Sequence, residues 1–336
     1  MKTSGEGTQG LAAEVAARAL SPPDDRALEA AVERLARATD EALSGIVFFG
    51  SRRTGAAKAD AFSAHDVFVV VDEYRAFYEG VRAAGLTGKG PGLLALVSRW
   101  LPPTQYSLRF VEEGVRLKAA VIGGDAFRRE TSARRRDHFC IGRLFQPSRI
   151  LYARDPAARE ALLAALVEAH RQTWAWARPW LPPRFDAAAY GRAALGVSMS
   201  WEIRPEPGDR ASALWNAQCA EQTPVFAALL RELASAGQIV PCPGEGEIWA
   251  AAQPVGSLER LRRDLYFRRS MMRATARWLK HVVSFEGWLD YILRKANRHA
   301  GEPIELLPRE RRWPWVFLWG RLFRYLRDKD RKGRSS

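Results

Sequence analysis

The sequence has few of the residues that build disulfide-stapled or membrane-spanning proteins. Its only three cysteines, Cys140, Cys219 and Cys242, lie far apart and form no CxxC pair. This spacing indicates neither a disulfide framework nor a structural zinc site, and it fits a reducing compartment. No apolar run reaches the roughly 18 residues of a transmembrane helix, and the N-terminus lacks the charged start and apolar stretch of a secretory signal. We therefore expect a cytoplasmic protein that does not span a membrane.

Positive charge is in excess and is concentrated at one end of the chain. The 52 Lys and Arg side chains against 38 Asp and Glu give a net charge of +14. Residues 257–336 hold 21 basic and 9 acidic residues, a net charge of +12, so the rest of the chain is nearly neutral. A concentrated basic segment predicts an anionic partner, which is either nucleic acid or an acidic membrane surface.

Hydrophobic periodicity divides the 336 residues into two predicted domains with flanking segments. Residues 1–24 are Gly- and Ser-rich and then Ala-rich, and we expect them to be partly disordered. Residues 25–155 alternate helical patterns with short apolar runs, which predicts an α/β (α+β) domain with a short mixed sheet. Its predicted strands are 45–49, 67–71, 106–111 and 115–122. A mainly helical domain, 156–305, follows, and residues 306–336 form a basic aromatic tail.

A glycine turn and a strand aspartate form the most informative pattern. The apolar run 45–49 ends at Gly50-Ser51, and Asp66 opens the β-branched run 67–71. A tight turn after a strand exposes backbone N–H groups and the Ser51 hydroxyl to a phosphate chain, while an acid on the next strand holds a divalent cation. Phosphoryl-type transfer needs both parts. The alternative interpretation is an ordinary turn followed by an aspartate that caps a buried strand.

This arrangement, with a further glycine at Gly55, resembles the signature of the DNA polymerase β-like nucleotidyltransferases. That superfamily usually has two acids, one residue apart, on the second strand, whereas Ala64 and Phe68 flank Asp66 at that spacing here. Three other acids are candidates for the missing ligand: Asp72, Glu112 and Asp125. His65 would point to the opposite strand face from Asp66, which predicts a structural histidine.

Four segments in the same order resemble the mitochondrial-type CDP-diacylglycerol synthases, the translocator assembly and maintenance type of phosphatidate cytidylyltransferase. They are the single-acid strand 66–72, the segment 101–107 (similar to Asn-x-x-Tyr-Ser), the strand 118–122 (similar to Lys-Tyr-Gly-Val-Ile) and the segment 141–147 (similar to Ala-Gly-Arg-Leu-His-Lys-Pro). Two features of that family differ here: a Trp-His pair appears as Phe77-Tyr78, and a lysine appears as Gln146.

The resemblance implies a Mg²⁺-dependent enzyme that forms CDP-diacylglycerol and pyrophosphate from CTP and phosphatidate. Asp66 would bind the metal and Lys118 would neutralise a phosphate, so these two would be the catalytic residues. The residues implied in binding the nucleotide or the lipid phosphate are Gly50, Ser51, Tyr106, Ser107 and Arg143. A surface lysine and a packed tyrosine are the structural alternatives for Lys118 and Tyr106.

The tail predicts a peripheral attachment to an anionic membrane. On a helix that begins near Pro314, Trp319 and Phe323 fall on one side, while Arg321, Arg324 and Arg327 recur along another. Such a helix can lie in a membrane interface on the inner face of the membrane, where phosphatidate is found. Packing of the apolar side on the helical domain is the alternative.

Two other functions fit the same residues. The first keeps the nucleotidyltransferase fold but uses a small molecule, RNA or a protein as acceptor, with the basic tail binding RNA. The second is a catalytically degenerate domain that binds nucleotide or serves as a membrane-associated scaffold, because the second strand acid is missing.

Overall fold

The computed structural model describes residues 10–23, 25–50, 52–53, 64–201, 210–244 and 246–284. All of them belong to the first of two compact units, Met1–Phe285 and Glu286–Ser336. The last part of the predicted helical domain, residues 285–305, and the amphipathic tail 306–336 therefore lie outside the described residues.

A five-stranded mixed sheet forms the centre of the first unit. Its strands are β1 (Leu43–Phe49), β2 (His65–Val71), β3 (Thr104–Phe110), β4 (Val115–Gly123) and β5 (Arg149–Ala153), in the order β3-β4-β2-β1-β5. The pair β2/β4 is parallel and the other pairs are antiparallel. The four predicted strands are thus confirmed. Strand β5 was not predicted, because its sequence shows no alternation of polar and apolar side chains. In the structure all five of its residues are half-buried.

Ten helices surround this sheet among the described residues. They are α1 (Leu11–Ala19), α2 (Arg26–Thr39), α3 (Tyr74–Ala83), α4 (Pro91–Arg99), α5 (Gly124–Thr131), α6 (Ile141–Leu144), α7 (Pro156–Ala177), α8 (Ala187–Ser200), α9 (Arg210–Ser235) and α10 (Ser257–Ser284). Asp25, Glu73, Asp155 and Asp186 each accept a backbone N–H three residues later, which starts α2, α3, α7 and α8. A two-stranded ribbon, β6 (Ile239–Pro241) with β7 (Trp249–Ala251), precedes α10. None of the described helices has both the length and the apolar composition that crossing a bilayer requires.

Helix α1 corrects the expectation of a partly disordered N-terminus for residues 11–19. Leu11, Val15 and Ala19 recur every four residues and are buried where α1 packs on α7 and α9. The Ala-rich composition hid this narrow apolar stripe, which becomes a stable helix face only when the two partner helices cover it.

The two faces of the sheet bury separate hydrophobic cores. Val67, Val69 and Val71 of β2 join the core that contains α2, α3 and α4, and this side is called the α2 face. Phe68 and Val70 join the core that contains α1, α5, α6, α7, α8 and α9, and this side is called the α7 face. Side chains alternate between the faces because successive strand residues point in opposite directions. The core on the α7 face includes helices from both predicted domains, so the predicted boundary at residue 155 does not separate two cores.

Candidate functional site

The chain turns sharply where β1 ends at Gly50. Its φ of +88° lies in the left-handed region that favours glycine, and the Arg53 N–H donates to Gly50 O at 3.0 Å. A Cβ added at Gly50 would stand 3.0 Å from Asp66 Oδ2 and 3.3 Å from Asp66 Cβ. The missing side chain therefore allows the turn backbone to approach the Asp66 carboxylate. Ser51, the other predicted phosphate ligand of this turn, lies outside the described residues.

Three polar side chains stand in a row across the sheet beside this turn. The register pairs Asp66 with Lys118 on β4, and Lys118 with Ser107 on β3. Residues that are directly paired on neighbouring strands point to the same face, so all three lie on the α7 face. Lys118 Nζ is 3.6 Å from Asp66 Oδ1, and the two side chains are 33% and 32% exposed. The structure thus brings together Gly50, Asp66, Lys118 and Ser107.

This arrangement suits a metal-loaded phosphate chain. The carboxylate of Asp66 is the ligand type that Mg²⁺ prefers, and one third of the side chain is open to solvent. A cation held there would lie beside the Gly50 backbone and the Lys118 ammonium, two groups that can neutralise phosphate oxygens.

Two of the three candidate second acids lie at the opposite end of the sheet. Asp72 follows the last residue of β2, where Arg154 Nη1 approaches its Oδ2 to 2.5 Å and Ser44 donates to its Oδ1. Asp125 is in the first turn of α5, after the last residue of β4, and its side chain is 92% exposed beside Arg128. Neither carboxylate shares the Asp66 end of β2.

Glu112 lies in the β3–β4 turn, at the same end of the sheet as Asp66, but it is held by another partner. Arg34 of α2 approaches Glu112 Oε2 to 2.8 Å, and α2 packs on the α2 face. Across the part of the chain that the structure describes, no group of three or more His, Cys, Asp or Glu side chains could hold a metal. A Mg²⁺ ion at Asp66 would therefore take most of its ligands from phosphates and water, a common arrangement for this ion.

Tyr106 is a core residue, which corrects the prediction that it binds phosphate. Its side chain points to the α2 face, is 2% exposed, donates to Thr87 Oγ1 and packs on the edge of Tyr78 at 5.8 Å. Because neighbouring strand residues alternate, only Ser107 of the Tyr-Ser pair reaches the α7 face.

His65 lies on the α2 face, which confirms the prediction that it points away from Asp66. Its ring is 5.4 Å from that of Phe48, and burial, followed by the nearby charge of Arg52, lowers its pKa.

Arg143 lies in the short helix α6, on the α7 face. Its guanidinium stacks 3.8 Å above the ring of Phe139 and donates to Phe139 O at 2.8 Å. The Phe139 ring in turn meets Phe68 edge-on at 6.2 Å. Phe68 is two residues after Asp66 on the same side of β2, so Phe139 connects Arg143 to the strand that carries the aspartate.

A residue that the sequence did not point to, Glu221 of α9, holds the glycine turn. Its carboxylate accepts hydrogen bonds from both terminal nitrogens of Arg53, and Arg18 of α1 donates a hydrogen bond to its backbone oxygen at 2.7 Å. The Arg53 side chain is only 9% exposed. Arg53 therefore fastens the Gly50 turn to the helical part of the unit. No local pattern announces this contact, since the partners are 168 residues apart.

A second contact that was not predicted joins the Phe139 segment to α10. Asp137 Oδ2 accepts from Arg273 and Arg277, and Arg277 also lies 5.0 Å from the centre of the Phe139 ring. Burial alone would raise the pKa of Asp137, but Arg277, the Phe139 N–H and Arg273 outweigh it and hold that pKa below its usual value. The buried ion pairs of Asp137 with Arg273 and Arg277 therefore hold the Phe139 segment, whose ring packs on Phe68, against α10.

Comparison with known proteins adds no family to this picture. No protein-family model matches the sequence, and no curated protein matches it. The resemblance of the four sequence motifs and the geometry around Gly50 and Asp66 are therefore the basis for a functional proposal.

Proposed function

We propose that this chain is a Mg²⁺-dependent nucleotidyltransferase that transfers CMP from CTP to phosphatidate. The observation that supports this most strongly is the contact of a positive-φ glycine turn with a strand aspartate that is one third exposed and has a lysine on its other side. A phosphate chain would meet backbone N–H groups, a metal-binding carboxylate and an ammonium in one place. The choice of CTP and phosphatidate follows from the motif resemblance.

In the proposed reaction an oxygen of the lipid phosphate attacks the α-phosphorus of CTP. The bond from that phosphorus to the bridging oxygen breaks, and pyrophosphate leaves with the electron pair. A phosphomonoester is largely anionic at neutral pH, so no strong general base is needed. A bound Mg²⁺ would neutralise charge on the leaving group. The chain's own residues position the triphosphate at Gly50, and Lys118 stabilises the charge that develops on the phosphate oxygens.

Binding of nucleotide without turnover is the second candidate. It is favoured by one observation: none of the three acids considered as second ligands stands next to Asp66. Two-acid sites hold two cations or one rigid cation, whereas a single carboxylate leaves the metal more weakly fixed. The two candidates differ in pyrophosphate release and share nucleotide binding.

The test is an assay of pyrophosphate release with each nucleoside triphosphate, Mg²⁺ and phosphatidate-containing vesicles. We expect release with CTP, and we expect D66N to reduce it by about a thousandfold, the size typical of losing a metal ligand or a main electrostatic stabiliser. The matched control is D125N, because Asp125 is an exposed aspartate at the opposite end of the sheet. It should retain wild-type turnover.

The outcomes separate the two candidates. Mg²⁺-dependent thermal stabilisation by CTP with no pyrophosphate release would support binding without turnover. Absence of both in a protein shown to be folded would contradict each of them. Release with another triphosphate, or without phosphatidate, would keep the reaction class and change the substrates.

A further inference from the structure

Helix α10 carries an exposed apolar stripe, which no function described so far requires. Leu258, Leu261, Leu265 and Met272 are 59%, 54%, 57% and 66% exposed. Spacings of three, four and seven residues place these four side chains on one side of a helix. They extend over about 21 Å of helix at 1.5 Å per residue. An exposed apolar row of this length marks a contact surface.

The stripe faces outward while the other side of α10 is firmly anchored. Phe267 is fully buried and stacks on Trp201 at 5.3 Å, and the Ser270 hydroxyl accepts the His138 N–H at 2.8 Å. Near the end of the helix, Lys280 Nζ donates to Leu101 O at 2.9 Å and also to Trp100 O. The exposure of the stripe is therefore a consequence of how the helix is docked.

Exposed arginines border the stripe on both sides. On a helical projection Arg268 falls beside Leu261, whereas Arg262 and Arg269 fall beside Leu258, and all three are exposed. The acidic residues of α10 are turned elsewhere: Glu259 is 3.7 Å from Arg178, and Asp264 is half-buried. The outward side of the helix thus combines apolar side chains at its centre with positive charge along both edges.

We infer that this side of α10 is a docking surface for an anionic lipid bilayer. Leucine and methionine side chains can enter the boundary between headgroups and acyl chains, while the guanidiniums remain at the level of the lipid phosphates. A second copy of the chain is a poorer occupant, because pairing two such helices antiparallel brings arginine edges together. The bilayer would be the partner that carries the lipid substrate. The inference rests on the proposed function only for the reason why this protein would bind a bilayer.

Helix α4 presents a second exposed apolar set next to the end of α10. Leu93, Leu96 and Trp100 are 55%, 67% and 54% exposed, and the carbonyl of Trp100 is one of the acceptors for Lys280. A partly exposed tryptophan is the side chain that favours the headgroup region, since its ring is apolar and its N–H is polar. The chemistry of this second set agrees with that of the stripe.

The test is vesicle flotation of the full chain, without nucleotide, on phosphatidylcholine vesicles with and without phosphatidylglycerol. We expect binding that needs the anionic lipid and weakens with salt. The double variant L261E/L265E should bind at least tenfold more weakly. The variant R262Q/R268Q/R269Q should lose about fivefold in affinity per arginine and should bind with a weaker salt dependence than wild type. The matched control is V111E/V240E, which adds the same charge at exposed apolar residues outside α10 and should bind like wild type.

Three results would overturn the inference. The first is unchanged flotation of both α10 variants, or no flotation of the wild type. The second is a change of oligomeric state in L261E/L265E by light scattering, which would identify a second copy as the occupant. The third is a loss of thermal stability in L261E/L265E with unchanged flotation, which would mean that another part of this chain covers the stripe.

Turnover of a water-soluble short-chain phosphatidate separates this inference from the proposed function. If both are correct, L261E/L265E turns over the soluble lipid like wild type and the vesicle lipid more slowly. If flotation depends on α10 but CTP releases no pyrophosphate with either lipid, the membrane-docking inference stands and the proposed function fails.

Discussion

The two ends of strand β2 each have an aspartate, and the two aspartates have opposite surroundings. The Asp72 side chain is 50% exposed, but Arg154 and Ser44 both approach its carboxylate to 2.5 Å, so it joins β1, β2 and the segment before α7. Asp66 has the Lys118 ammonium at 3.6 Å and the backbone of the Gly50 turn close to its carboxylate. The type of a residue on a strand therefore does not decide its role. Short contacts to Arg154 and Ser44 occupy the Asp72 carboxylate, whereas the single ion pair of Asp66 is longer.

Replacing each of the two carboxylates by an amide should separate the two ends of β2 most clearly. D66N should lower pyrophosphate release by about a thousandfold and change the free energy of unfolding by less than about 1 kcal/mol, because its ion pair is long and partly solvated. D72N should keep turnover within a few-fold and lose about 1 kcal/mol of stability with its short hydrogen bonds. Turnover and urea unfolding of both variants check this. Equal losses of activity would remove the distinction between the two ends.

An intermediate effect is expected from the glycine turn. G50A should lower turnover by about 10- to 100-fold, because its Cβ would press on Asp66 Oδ2 at a position where the left-handed backbone also disfavours alanine. The matched control is G114A, since Gly114 also has a positive φ, +66°, but has open space around it. Both variants should lose about 1 kcal/mol of unfolding free energy, and only G50A should lose activity. A similar kinetic defect in G114A would show that the effect is general destabilisation.

A substitution of Glu221, which holds the Gly50 turn through Arg53, should change the activity least. E221Q weakens the ion pair to Arg53, so the turn should be less ordered before nucleotide binds. We expect KM for the nucleotide to rise about three- to tenfold with kcat nearly unchanged, and E221D to restore part of the loss. The control is E232Q on the same helix, where Glu232 pairs with Arg171 away from the turn. A fall in kcat with constant KM would contradict a positioning role.

Local patterns predicted the sheet strands well and the site only partly. The apolar runs before Gly50 and after Asp66 are strongly β-branched or aromatic, and they form β1 and β2 as expected. The Tyr-Ser pair could not be divided between phosphate binding and packing, because the facing of β3 depends on its register with β4. Helix α1 and strand β5 escaped prediction, because each has a weak pattern of its own and is completed by contacts with distant partners.

The order of strands β1 to β4 along the chain, the position of the glycine turn before the strand aspartate and the concentration of positive charge in residues 257–336 are all legible without the fold. These properties depend on neighbouring residues and on simple sums of charge. The fold was needed to show that Lys118 lies beside Asp66 and Ser107 beside Lys118, that Tyr106 faces the other core, and that Glu221 holds the turn. Strand register and helix docking bring residues together across long stretches of chain, and both arise from burial of the two cores rather than from any local pattern.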